Sequence, residues 1–336
     1  MSQKLPMEKL LNLITIGDST IDTFIKIHDA SVQCDIRRKE TKICVSYGDK
    51  IPVDAIGHTV AGNAANVAVG CRKLGLTTAI YTNLGDDQAG QSIKKYLEEN
   101  SVIVDYVKIH QGKESNLSVV LTYLGERTIF VYHQPWSYSL PALAQASWIY
   151  LTSMAESFTN SNVINDVCHY LDGTKAKLAF NPGTFQLKVG VKKFPKILER
   201  CQVLIVNLQE AKKILEIDER ENVETRDLLS KLLLLGPKVV VITNGEDGSY
   251  ASDGQKNLKV GILQTQLVEK TGAGDAYSSG LISAMCLGHP IEEAMIWGTI
   301  NASFAIGKLG PQKGLATREE LEKNRKAVSH LVATSF

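Results

Sequence analysis

Thr271-Gly272-Ala273-Gly274-Asp275 leads from a polar stretch into the apolar segment Ala276–Leu287, and the reading of this junction decides how the rest of the 336-residue chain is read. Glycines let a chain turn tightly and bring bare N–H groups up to a ligand. A helix that starts here adds unpaired N–H donors and the positive end of its dipole, about half a charge. Such a cradle suits a phosphate, or the charge that builds up as a phosphoryl group moves. Asp275 stands at its rim, where a carboxylate can take the proton of an attacking hydroxyl. The same five residues also describe an Asp at a common helix start, so the remainder of the chain has to arbitrate.

Composition narrows the classes. Hydrophobic residues make up 44% and charged residues 22%, with a formal net charge of +1. Near-neutrality gives no electrostatic reason to expect nucleic acid or an anionic membrane as partner. No apolar run approaches the roughly 20 residues of a membrane span. Met1–Leu13 carries scattered polar residues and no signal-peptide pattern. Cys34, Cys44, Cys71, Cys168, Cys201 and Cys286 form no C-x-x-C pair. That excludes a zinc ribbon or disulfide scaffold and points to reduced thiols and a cytoplasmic location, although Cys34 and Cys44 can face each other across a hairpin.

Apolar runs alternate with amphipathic stretches. Leu13–Gly17, Thr78–Thr82, Trp148–Leu151, Leu178–Phe180, Val203–Val206 and Val239–Thr243 are short, β-rich and apolar on both faces, as in strands buried within a parallel sheet. Helical patterns occupy Asn63–Leu74, Gln88–Glu99, Asn160–Leu171, Gln209–Leu215 and Thr225–Leu235. Ala276–Leu287, Pro290–Gly307 and Thr317–Val332 then make the final third helical. This rhythm predicts a three-layer α/β fold with a doubly wound, mostly parallel sheet and right-handed crossovers. Residues 23–58 and 116–133 break it with alternating patterns, including a Gly125-Glu126 turn. They read as a small antiparallel β lid, an excursion from a single domain spanning 1–336 that closes over a cleft. Its open edge can pair with a second copy, which allows a homodimer through the lid.

Three further clusters carry chemistry. Asp22 follows Gly17-Asp18-Ser19-Thr20-Ile21, and Ala61-Gly62-Asn63-Ala64-Ala65-Asn66 opens a helix. A carboxylate accepts from vicinal hydroxyls, an Asn both donates and accepts, and Gly62 lets a ring lie on bare backbone. Asn207-Leu208-Gln209-Glu210 follows the Val203–Val206 run. Asn207 and Glu210 lie on one side of a first helical turn, where they make a capping box and can also serve a phosphate and a hydrated Mg²⁺. Thr243-Asn244-Gly245-Glu246-Asp247-Gly248 follows another run and reads either as a nucleotide loop or as a hairpin turn.

Taken in order, Asp22, Gly62-Asn63-x-x-Asn66, Asn207-x-x-Glu210, Thr243-x-Gly245-x-x-Gly248 and Thr271-Gly-Ala-Gly-Asp275 resemble the ribokinase (PfkB) family of carbohydrate and nucleoside kinases, from about Leu11 to His330. The resemblance implies a ribokinase-like fold and Mg-ATP as phosphoryl donor. It makes Asp275 the catalytic base and Gly272, Ala273 and Gly274 the anion hole. Asp22, Gly62, Asn63 and Asn66 become acceptor contacts. Asn207, Thr243, Gly245, Gly248, Thr271 and Asn301 become nucleotide contacts, and Glu210 the magnesium residue, acting through water. The chain departs from the family pattern at Glu269-Lys270, where an Asp usually precedes the Thr by two residues, so potassium activation is not carried over. Ala61 replaces the first glycine of a usual Gly-Gly pair, and Asp18-Ser19-Thr20 stands where sugar kinases often carry Asn.

The expected activity is transfer of the γ-phosphoryl group of ATP to a hydroxyl of a small sugar. A nucleoside kinase is the alternative, with Tyr47, Tyr123, Phe130, Tyr132 and Trp136 as the aromatic slot. A phosphosugar kinase would use Arg37, Arg38 and Arg127. A sugar-binding or nucleotide-binding protein that lost its chemistry is the remaining reading.

Overall fold

In the strand Leu11–Ile16, Leu13 and Ile14 point to opposite faces of a sheet and neither is exposed at all. Covering both faces is what a doubly wound sheet demands of its strands. The computed structural model describes residues 10–35, 40–124, 126–266, 268, 271–308 and 310–336. Arg37, Arg38, Glu269, Lys270, Gly125 and the first nine residues, all named above, lie outside them.

The large sheet has nine strands. Six run parallel, in the spatial order Thr78–Tyr81, Leu11–Ile16, Ala146–Leu151, Lys177–Phe180, Cys201–Asn207 and Val239–Thr243. Ser249–Ser252, Asn257–Val260 and Thr334–Ser335 then extend one edge antiparallel. One face packs Ile14, Ile16, Ile149 and Leu151 against Val163, Val167, Leu228 and Leu232. The other packs Leu13, Trp148 and Tyr150 against Val67, Tyr277, Leu281 and Trp297. At about 25 cal/mol per Å² of apolar surface removed from water, these two faces dominate the stabilisation.

All six parallel strands fall on the expected runs, and the helix Gln88–Glu99 has the expected ends. The helix Ala273–Cys286 starts three residues earlier than expected, so Asp275 sits inside its first turn. The final helix stops at Ala327 instead of Val332. The chain then turns back so that Thr334–Ser335 pairs with Leu258 and Lys259, a short exposed pairing with no periodic pattern of its own.

The lid is a four-stranded sheet in the order Glu126–Tyr132, Leu117–Tyr123, Thr20–Lys26, Ala55–Ala61. Its hairpins are antiparallel, and the seam joining the two excursions, Thr20–Lys26 against Leu117–Tyr123, is parallel. Thr20–Lys26 follows the large-sheet strand Leu11–Ile16 directly, whereas Leu117–Tyr123 follows the short strand Lys108–His110, which pairs in parallel with Asn83–Gly85. Ser31–Asp35 and Glu40–Cys44 form a separate hairpin. Its register sets Cys34 opposite Thr41 and Cys44 opposite Ser31, so the two cysteines are not facing partners as the sequence suggested.

Candidate active site

The strand Leu11–Ile16 has neighbours whose crossovers go opposite ways, one to Thr78–Tyr81 and one to Ala146–Leu151. Ligands in open α/β sheets bind beyond the carboxyl ends of strands at such a switch point. A cavity of about 330 Å³ lies there, lined by Asp18, Ser19 and Asp22 after the first strand and by Ser153 and Met154 after Ala146–Leu151. Gly62, Asn63 and Asn66 line it from the helix Asn63–Lys73, Ile129, Val131 and His133 from the lid, and Thr271, Gly272 and Asp275 from the late helix. Residues far apart in sequence thus share one space.

The Asp275 carboxyl on this cavity is strongly perturbed. Burial is the largest cause, pushing its carboxyl from the usual 3.8 to about 6. The charges of Glu210 and Asp22 push the same way, while hydrogen bonds from Asn66 and Asn63 favour the charged form and restrain the rise. Asn66 Nδ2 donates to Asp275 Oδ2 at 2.7 Å, and both side chains are buried. A carboxylate poised near neutrality and fixed by an N–H is suited to general-base work.

The start of the helix Ala273–Cys286 explains the glycines. Gly272 is the N-cap, at a left-handed φ of 80°, and a methyl group there would come within 2.5 Å of Pro311 Cβ. No side chain caps this end. Gly272 and Asp275 of this helix start line the cavity, and a methyl at Gly274 would meet open space. An anion fits such an end. Arg127 of the lid donates to Thr271 Oγ1, tying lid to loop.

Asn207 and Glu210 make the capping box in full: Asn207 N–H donates to Glu210 Oε2 and Glu210 N–H to Asn207 Oδ1, each at 2.8 Å. Burial raises the Glu210 carboxyl, opposed by the Asn207 N–H and by Lys213. Asn207 pairs in register with Thr243 on the next strand, so both stand at the sheet's carboxyl edge, beside the 330 Å³ cavity and not in its lining. Among the described residues no three acidic, His or Cys side chains gather into a metal cage. The site does hold Glu210, Asp22 and Asp275 close enough for their charges to act on one another. This concentration of carboxylates fits a hydrated divalent ion with few protein ligands, as Mg²⁺ prefers.

Several expectations are corrected. Asn301 does not face a ligand: fully buried, it donates to Ala276 O and Ser279 Oγ and accepts from Ala316 N–H. With donor and acceptor both engaged, it pins the late helices together and has nothing left for an adenine. Gly248 is required by packing, since a methyl there would approach Val260 O to 2.1 Å, while Gly245 borders open space. Their loop is a one-turn 3₁₀ helix closed by Asn244 N–H to Gly248 O, at the turn between the strands Val239–Thr243 and Ser249–Ser252. Asn63 is the first helical residue and Gly62 the cap. None of the five proposed slot aromatics lines the cavity: Tyr47 and Phe130 are exposed, Tyr123 bonds Ala30 O, Tyr132 lies on the lid's outer edge, and Trp136 stacks on His110.

Sequence reading missed Phe185, Thr184, Asn116, Ser118 and His133, all of which line the cavity. Phe185 packs edge-on against His133 at 5.1 Å and supplies the apolar wall with Met154, Ile129 and Val131. The segment Gly183-Thr184-Phe185 just past the strand Lys177–Phe180 was the available signal, since strand ends bind ligands. Asp18 was quoted without a role. Its carboxylate accepts from Tyr138 OH and from Ala155 N–H at 2.8 Å, which anchors the first loop.

A pfkB family carbohydrate kinase model matches residues 26–318, and the chain belongs to that family. It is 24% identical over 319 residues to the ATP-dependent 6-phosphofructokinase of Thermoanaerobacterium thermosaccharolyticum, covering 90% of each chain. It is 28% identical over 288 residues to 5-dehydro-2-deoxygluconokinase 2 of Bacillus cereus, covering 78% of this chain and 84% of that one. Among solved structures, Arabidopsis thaliana ribokinase complexed with ribose and ATP matches with a TM-score of 0.76 at 20% identity, over 94% of this chain and 98% of the other. That likeness bears out the ribokinase-like fold.

Proposed function

We propose that this protein transfers the γ-phosphoryl group of ATP to a hydroxyl of a small, uncharged sugar, with Asp275 as general base. The observation that carries the reading is one juxtaposition: the raised Asp275 carboxyl lies at an uncapped helix start, on a cavity shared with Asp22 and Asn63. Lid closure excludes water that would compete as acceptor. Asp22 and Asn63 orient the sugar through its hydroxyls, which recovers several kcal/mol of alignment cost. Asp275 takes the hydroxyl proton as the oxygen attacks the γ-phosphorus and the bond to the bridging oxygen breaks, releasing ADP. The amides of Ala273 and Gly274, with Gly272 shaping the turn, stabilise the charge on the transferring oxygens. Asn207, Thr243 and Thr271 serve the nucleotide from the adjoining strand ends. When Mg²⁺ is bound, Glu210 holds it through water and the ion supplies phosphate charge neutralisation.

Size and charge select the acceptor. A cavity of about 330 Å³ is at the small end of ligand sites, enough for a monosaccharide and tight for a nucleoside. Carboxylates of Asp18, Asp22 and Asp275 on its wall repel phosphorylated or carboxylated acceptors. In this reading the chain works as one unit in a reducing cytoplasm, and its lid edge Glu126–Tyr132 joins a second copy. Release of ADP from Mg-ATP on adding pentoses, hexoses, sugar acids, sugar phosphates and nucleosides tests the assignment. Neutral monosaccharides should give the highest kcat/KM. Preference for a sugar phosphate or a nucleoside refutes the substrate class, and ATP binding without turnover on any acceptor refutes catalysis.

A further inference from the structure

Gln312 is buried and reaches Asn66, the residue that holds Asp275, from a distant part of the chain. Its Nε2 donates to Asn66 Oδ1 at 2.7 Å, and Asn66 Nδ2 donates in turn to Asp275 Oδ2 at 2.7 Å. We propose that Gln312 is a positioning residue for phosphoryl transfer, holding the Asn66 amide so that its N–H, and not its carbonyl, faces the Asp275 carboxylate. The proposal rests on Asp275 being the base.

An Asn side chain can turn its amide over, and the two orientations favour opposite protonation states of a neighbouring acid. An N–H toward the carboxyl stabilises the ionised base, while a carbonyl there stabilises the protonated acid, which has no catalytic use. With its Oδ1 engaged by Gln312, Asn66 loses a hydrogen bond if it turns. Gln312 itself resists turning. Its Oε1 is buried without a partner among the described residues, and reversing it would place an NH₂ group there, a costlier orphan than a carbonyl oxygen. Its backbone is anchored as well, because Lys73 Nζ donates to the main-chain oxygens of Gln312 at 3.2 Å and Leu315 at 3.4 Å. The groups acting on Asp275 are Asp22 from the lid seam, Glu210 from the capping box, Asn63 beside Asn66, and Tyr150 from the sheet. Arg127 approaches through Thr271, and Lys73 reaches only the Gln312 main chain. Of the two amides that act on Asp275, Asn63 and Asn66, the second is the one that Gln312 holds by a hydrogen bond.

Gln312→Met keeps the side chain's length and removes its donor. In the free protein, the acid limb of kcat/KM should move up by about one unit, roughly the effect of losing a charge-favouring hydrogen bond. If the limb moves from about 6 to about 7, the ionised fraction at pH 6 falls about fivefold, while activity at pH 8.5 and KM for ATP stay close to the parent. Carbon-13 titration of the Asp275 carboxyl in unliganded protein should show the same displacement without any turnover. In an Asn66→Leu background, Gln312→Met should add nothing, because the effect passes through Asn66. An unmoved limb and titration in Gln312→Met, or a full additional shift in the Asn66→Leu background, overturns the positioning role. Asp275→Asn separates the two readings. If it retains near-parent turnover, the base assignment itself fails, whereas an inactive Asp275→Asn beside an unaltered Gln312→Met profile removes only the positioning role.

Discussion

Asp275→Asn should make the protein both inactive and more stable. The carboxyl is buried and pushed from 3.8 to about 6, a rise of roughly two units, equivalent to about 3 kcal/mol. Between about pH 4 and pH 6 the folded chain keeps a proton there that the unfolded chain has released. Stability is therefore full below the unfolded value and is lost as pH rises through the folded one. An Asn has no proton to lose, and its Oδ1 can still accept from Asn66 Nδ2. The variant should match the parent near pH 4 and exceed it by roughly 2–3 kcal/mol at pH 8, with the gap opening around pH 5–6. Urea unfolding at several pH values reads this directly, with a Tm rise of about 5 °C at pH 8 as the cheaper version. Turnover should fall by roughly 10²–10⁴-fold with nucleotide binding retained. An Asp275→Asn variant no more stable than the parent at pH 8 would refute the idea that a buried, repelled carboxylate sits at the cleft.

Asn301→Ala should destabilise by roughly 2–4 kcal/mol, because it takes the acceptor from buried Ala316 N–H and a donor from Ala276 O and Ser279 Oγ, and it should leave KM for ATP unchanged in steady-state assays. Gly272→Ala puts a methyl against Pro311 in a left-handed turn, so kcat should drop by at least tenfold with a loss of roughly 1–3 kcal/mol in thermal unfolding. Phe130, exposed on the outer lid strand, should tolerate Asp in the monomer but block edge pairing; light scattering should then report half the parent's mass.

What the sequence disclosed followed from periodicity and from glycine. Val239–Thr243 was legible because it is apolar on both faces, and the signature loop because Gly272 needs a left-handed turn where a methyl would strike Pro311. The antiparallel edge was less legible, since Ser249–Ser252 and Thr334–Ser335 are short and are held by pairing more than by pattern. Asn301 misled for a general reason: an Asn on a helix can serve a ligand or a backbone, and only burial tells which. Phe185 and Gln312 acquire their positions from tertiary packing, and neither stands in a motif with an identifiable local purpose. The lid's aromatics read as a slot because strand spacing is silent about which face turns inward.

The parallel seam of the lid also bears on how the molecule is made. Ile21 lies beside Leu117 on one side and Val60 on the other, and Leu13 beside Trp148 and Thr78, so each of the first strands gains its second neighbour only after roughly a hundred later residues exist. Such long-range pairing slows folding and leaves strand edges exposed meanwhile. During synthesis on the ribosome, the amino-terminal hairpins must wait unsatisfied, and chaperone dependence should be greatest while residues 20–61 are out and 117–151 are still to come.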